Sequence, residues 1–289
     1  MLAKDAPKDT ASVTPVASST PSLGFVDGAG AKQYPKVSFK PPVTLQSGVK
    51  MYAPQNPIRR DGTVDIIIQF RGVVPKAFEQ GGVNAVVLTA ETDGLSDEMM
   101  EKFGQKGFVP RMIETAMAKV RQQYPEAKAG RLALGSFSAG YAPLQVALSN
   151  PDVRQRADTV VVLDGIHYGG PGKPSPAAHK PFVEFAQAAA AGDKLMLISH
   201  SSIKPTYSSS TDAANYIATQ VGAERKPDSA GVPDWSYPSR YGTVISPSTR
   251  ADKGDFHVEG HAGEVANSHM EQLDNLGNLW NRYLAPRWE

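Results

Sequence analysis

The stretch Leu132 to Tyr141 reads LALGSFSAGY and holds two serines, Ser136 and Ser138. The chemistry open to a serine is nucleophilic attack. Its hydroxyl is a weak nucleophile at neutral pH and requires an adjacent base, usually a histidine held by a carboxylate. Ser138 has small residues two places to either side, Ser136 and Gly140, whereas Ser136 has Leu134 before it. A sharp strand-to-helix turn requires small neighbours, because larger side chains would collide with the adjacent strands. A helix starting behind the turn also aims free N–H groups at developing negative charge. The bland alternative is a packing turn without chemistry.

The surrounding elements favour the chemical reading. VDIIIQF (64–70) and NAVVLTA (84–90) are apolar, β-branched runs, the signature of strands covered on both faces. Residues 108–124 carry apolar groups at 109, 112, 113, 116, 117 and 120, one helical stripe. Then follow RLALGSF (131–137), a helix to about 149, the strand DTVVVLD (158–164), the helix PFVEFAQAAAA (181–191) and the strand KLMLISH (194–200). A helix over about 211–221, a strand near 255–263 and a final helix from about Met270 to Leu284 complete the order. Strands alternating with helices need crossover connections, so the expected class is α/β, a mostly parallel central sheet flanked by helices on both faces. In such sheets ligands bind at the carboxyl ends of the strands. Ser138 falls at one of those ends.

At this point the chain resembles the α/β-hydrolase fold, over about residues 45 to 289 in element order. The elbow SFSAG, the preceding IIIQFRG and a histidine just ahead of the last helix carry the resemblance. It implies a serine hydrolase cleaving a carboxylic ester through an acyl-enzyme, with Ser138 as nucleophile. It places the base at the start of the final helix, where His269 stands in ANSHMEQL with Asn267 or Ser268 as the expected helix cap. His261 is the alternative base. The acid implied is Asp164 at the end of VVVLDG, with Glu259 and Asp212 as outsiders. The oxyanion donors implied are the N–H groups of Ala139 and Val73. Where the family commonly has His-Gly, this chain has Arg71-Gly72, and Arg71 either pairs with a carboxylate or grips an anionic or carbonyl group of the substrate. His167, Tyr168 and His200, also at strand ends, are expected to line the cleft. Tyr207, Trp235, Tyr237 and Tyr241 suggest an aryl- or sugar-bearing substrate, or simply surface aromatics. An amidase or peptidase with the same triad, and a binding protein that keeps the fold without catalysis, are the alternatives.

Composition excludes other classes. Thirty Lys and Arg nearly cancel 29 Asp and Glu, and no basic run gathers charge, so nucleic acid is not an expected partner. With no cysteine, disulfides, thiolate metal sites and a cysteine nucleophile are impossible. No apolar run approaches the ~18 residues that span a bilayer. His257, Glu259 and His261 alternate along one strand and would share a face, but a polar strand face explains them more simply than a metal. Neither metal nor cofactor is expected, and the expected partner is a small-molecule or polymeric ester. Residues 1–30, rich in Ser, Thr, Pro and Ala, read as a linker or disordered start. Such a tether favours an exported location. Residues 31–289 then form one domain, with 222–253, rich in Pro, Ser and Gly, as an insertion over the site or, equally, a decoration distal to it. Oligomeric state is not legible.

Overall fold

The computed structural model describes residues 31–289, so the reading of 1–30 as a linker lies outside the described residues. The strands are β1 (Val43–Gln46), β2 (Val49–Tyr52), β3 (Thr63–Phe70), β4 (Val86–Ala90), β5 (Lys128–Phe137), β6 (Ala157–Leu163), the two-residue pair β7 (Gly169–Gly170) and β8 (Lys173–Pro174), β9 (Leu195–His200), β10 (Lys226–Pro227), β11 (Thr249–Lys253) and β12 (Phe256–Gly260). Ten of them form one sheet in the order β1-β2-β4-β3-β5-β6-β9-β12-β11-β10. From β4 through β12 the neighbours run parallel. The edges β1, β2, β11 and β10 are antiparallel.

The apolar runs explain why the middle of this sheet is buried on both sides. Alternate residues of β3 point to opposite faces, so Val64, Ile66, Ile68 and Phe70 join one core and Ile67 the other. Each fully buried Ile is worth roughly 2–3 kcal/mol of apolar transfer. The first core is closed by α2 (Ser96–Phe103), α3 (Phe108–Arg121), α4 (Tyr141–Ser149), α6 (Pro176–Ala190) and α7 (Ser210–Val221), with the short α5 (Pro151–Arg156) leading into β6. The second is closed by α1 (Pro75–Gln80) and the C-terminal helices. There Trp280 stacks on Phe78 with ring centroids 5.5 Å apart. The expected single last helix is broken into α8 (Ala266–Asp274), α9 (Leu276–Leu279), a π turn over Trp280–Leu284 and α10 (Ala285–Trp288). No helix among the described residues is long and apolar enough to cross a membrane.

Two features were not anticipated. Residues 222–253 supply β10 and β11 and extend the sheet. The loop between them packs on the last helices, with Tyr237 N–H donating to Asn278 Oδ1 at 2.7 Å and Arg240 pairing with Asp274. Trp235 Nε1 donates to the Ala31 carbonyl at 2.8 Å. In addition, β3 lies between β4 and β5, so the chain turns one way from β3 into β4 and the other way into β5. That reversal opens a crevice at the carboxyl ends of β3 and β5.

Candidate active site

The strand β5 ends at Phe137, and Ser138 opens a single 3₁₀ turn that continues into α4. Ser138 has φ 50°, a left-handed backbone that a non-glycine residue adopts only where its surroundings impose it. The surroundings are tight. A Cβ on Gly140 would stand 2.1 Å from the Phe70 carbonyl oxygen. Ser136 is buried between Phe70 of β3 and Val162 of β6, so the two serines differ as the sequence suggested. Ser138 is partly exposed and lines a cavity of about 670 Å³.

Asp164 follows β6 and is also left-handed, φ 43°. Its Oδ1 accepts from Ser201 N–H at 3.1 Å, and its Oδ2 from the Ser201 hydroxyl at 2.7 Å and His269 Nδ1 at 2.7 Å. Burial alone would raise this carboxyl, but the His269 and Ser201 hydrogen bonds outweigh it and hold its pKa below the usual carboxylate value. A carboxylate can only accept, so the His269 proton sits on Nδ1 and Nε2 keeps a lone pair. The ring is fixed a second time by Phe137, 4.5 Å away between centroids. His269 lines the same cavity as Ser138. No hydrogen bond joins the two among the described residues. The expected Asn267 or Ser268 cap is not used: α8 begins at Ala266, which places His269 inside its first turn.

The loop after β3 reverses at Arg71 and Gly72, both left-handed at φ 62° and 84°. Gly72 is required twice, since a Cβ there would also lie 2.5 Å from Leu273 Cδ1. Its N–H donates to Glu91 Oε2 at 2.7 Å. The Val73 N–H donates to no acceptor among the described residues, and Ala139 is the second residue of the turn, ahead of its first backbone bond.

Several residues assigned to the cleft from sequence lie elsewhere. Arg71 does not line the cavity; its guanidinium donates to the Gly94 carbonyl, with Glu91 beside it. Gly72 shapes the loop rather than the cavity wall. Tyr168 packs edge-on against Tyr141 at 4.9 Å, and its buried hydroxyl has no hydrogen-bond partner among the described residues. His200 is 2% exposed, held between the Ser201 carbonyl at 2.8 Å and Arg225 at 3.0 Å. His261, the alternative base, is equally buried against the Ser199 hydroxyl at 3.2 Å. Glu259 is paired bidentately with Arg282 at 2.8 Å, and Asp212 closes the capping box of α7 with Ser209. His257 bonds Asp252 at 2.6 Å. The polar strand face therefore serves internal pairing. Among the described residues no group of three metal-ligating side chains forms a metal site.

His167 does line the cavity, with Tyr207 at 5.2 Å between rings. Burial, the largest influence, lowers its pKa. Sequence reasoning missed Leu95, Ser96 and Asp97, which reach the cavity from the start of α2. Their only advance signal was the run of Asp and Glu in a helical first turn, SDE (96–98). Ser201, the residue after His200, supports Asp164 through both its N–H and its hydroxyl.

This architecture superposes on ferric enterobactin esterase from Salmonella typhimurium with a TM-score of 0.52 and 12% identity, over 88% of this chain and 62% of that one. The chain has the α/β-hydrolase fold. It spans less than two thirds of that esterase's length. Weaker likenesses include the feruloyl esterase module from Clostridium thermocellum, with a TM-score of 0.44, 11% identity and coverage of 89% and 95% of the two chains. A cold-adapted esterase from an Arctic intertidal metagenomic library gives 0.41 and 10%, over 81% and 87%. No protein-family model and no curated protein sequence matches the chain. Within this fold Ser138 stands at the strand-to-helix turn after β5, Asp164 follows the neighbouring strand β6, and His269 lies in the first turn of the helix after β12, the last parallel strand.

Proposed function

We propose that the chain is a serine hydrolase that cleaves carboxylic esters through an acyl-enzyme. The observation that carries this reading is the left-handed Ser138 at the wall of a cavity it shares with His269, whose Nδ1 is bound to Asp164. His269 Nε2 removes the Ser138 proton as the hydroxyl oxygen attacks the ester carbonyl. Asp164 stabilises the resulting imidazolium and holds its tautomer. The Ala139 and Val73 N–H groups receive the negative charge on the carbonyl oxygen, a contribution of ~3–4 kcal/mol per donor. His269 then protonates the leaving alcohol, and a water follows the same route to release the acid. Esters are favoured over amides because an alcohol leaves more readily than an amine.

The test is turnover of matched ester and amide substrates by the parent and by Ser138→Ala. The expected result is ester turnover that falls by at least about 10³-fold in the variant, at unchanged thermal stability. Ester turnover retained by Ser138→Ala would sink the proposal. Faster turnover of the amide would transfer it to the amidase reading.

A further inference from the structure

Among the described residues, no lysine or arginine lines the Ser138 cavity. Arg71, the one cation the sequence offered, is committed to the Gly94 carbonyl. Lys204 faces the adjoining cleft and pairs with Glu264 at 3.1 Å. What the cavity does present is acceptor-rich. Asp97, in the first turn of α2, is exposed at the wall and has no ion pair among the described residues. His167 Nδ1 lies 3.1 Å from the Ser208 carbonyl, which can only accept, so Nδ1 carries the proton and Nε2 offers a lone pair. Burial, the largest influence, lowers the pKa of this imidazole from its ordinary value and so favours the neutral ring. Asp164 adds a further negative charge at the base of the cavity. The rim is aromatic and apolar: Tyr207 is 48% and Leu95 74% exposed.

We propose that this cavity selects esters carrying an ammonium group or other cationic donor over anionic ones, with Asp97 as the specificity-determining residue. The inference rests on Ser138 as the nucleophile. A cation meets the Asp97 carboxylate, the His167 lone pair and the face of Tyr207, which attracts positive charge. A carboxylate-bearing ester meets acceptors on every side and finds no cation to offset its desolvation.

The experiment uses three aryl esters with one leaving group and acyl chains of equal length, ending in an ammonium, a neutral methyl ester or a carboxylate. The measurement is kcat/KM, or, for an ester that is not turned over, its protection of Ser138 against a fluorophosphonate. The expected order is ammonium, neutral, carboxylate, with about tenfold between the extremes at low salt, narrowing as salt screens the exposed charge. Asp97→Lys is expected to invert the order and Asp97→Glu to keep it. Equal handling of the ammonium and carboxylate esters, or an order unchanged in Asp97→Lys, would overturn the inference while leaving the nucleophile in place. Failure of the fluorophosphonate to react with Ser138 would remove the nucleophile itself, and this inference with it.

Discussion

Replacing Asp164 by Asn tests whether its carboxylate orients His269 as the proposed base. The carboxylate takes three hydrogen bonds, from Ser201 N–H, the Ser201 hydroxyl and His269 Nδ1. An asparagine has the same shape and keeps one oxygen for the Ser201 N–H at 3.1 Å. Its amide nitrogen then faces the two 2.7 Å partners on the other side. The Ser201 hydroxyl can rotate and accept. His269 can accept only by moving its proton to Nε2, which can then no longer take a proton from Ser138. The expected loss in kcat is on the order of 10³–10⁴, or ~4–5.5 kcal/mol of transition-state stabilisation. The packing is unchanged, so folding stability should move by only about 1–2 kcal/mol. The assay is steady-state ester hydrolysis beside a thermal melt of the same sample. Activity within about tenfold of the parent, with an unchanged melt, would show that Asp164 does not orient the base. A melt low enough to leave the variant unfolded under assay conditions would attribute the loss to stability instead.

Three further outcomes follow from the same geometry. Ser201→Ala removes the hydroxyl bond to Asp164 and keeps the N–H bond, so kcat/KM should fall about tenfold, with an unaffected Ser201→Ala rate contradicting the support role. Gly140→Ala places a methyl 2.1 Å from the Phe70 carbonyl and should cost about 1–3 kcal/mol in urea unfolding, together with ester turnover. Burial, with Arg225 also acting on His200, pushes His200 and His261 from 6.5 down to about 4 in the folded chain. Between those values the unfolded chain binds protons that the folded chain refuses, so stability should decline as pH falls from 6.5 to 4, by up to ~3 kcal/mol per histidine. A urea midpoint that stays level across that window would contradict it, and His261→Gln should flatten the slope.

The sequence made the central parallel strands legible because their β-branched runs are long and bounded by polar turns. It also made Ser138 legible, since the steric demand of a strand-to-helix turn is written in Ser136 and Gly140. Side-chain direction beyond a strand end was not legible. Arg71, Tyr168 and His200 all sit at the carboxyl edge, yet the left-handed backbone at Arg71 turns its side chain toward Gly94, and the other two point into the interior. Residues 222–253 have no periodicity that marks β11, because TRADK, paired with β12 on one side and only the two-residue β10 on the other, holds a single apolar residue, the buried Ala251. Asp97 escaped notice because a carboxylate in the first turn of a helix is ordinary on electrostatic grounds, and only the tertiary fold brings α2 to the cavity.

The most direct measurement of the central claim is peptide mapping by mass spectrometry after reaction with a fluorophosphonate. A single adduct on Ser138, absent from Ser138→Ala and slowed in Asp164→Asn, is the expected result. An adduct on another residue, or one that persists in Ser138→Ala, would contradict Ser138 as the nucleophile.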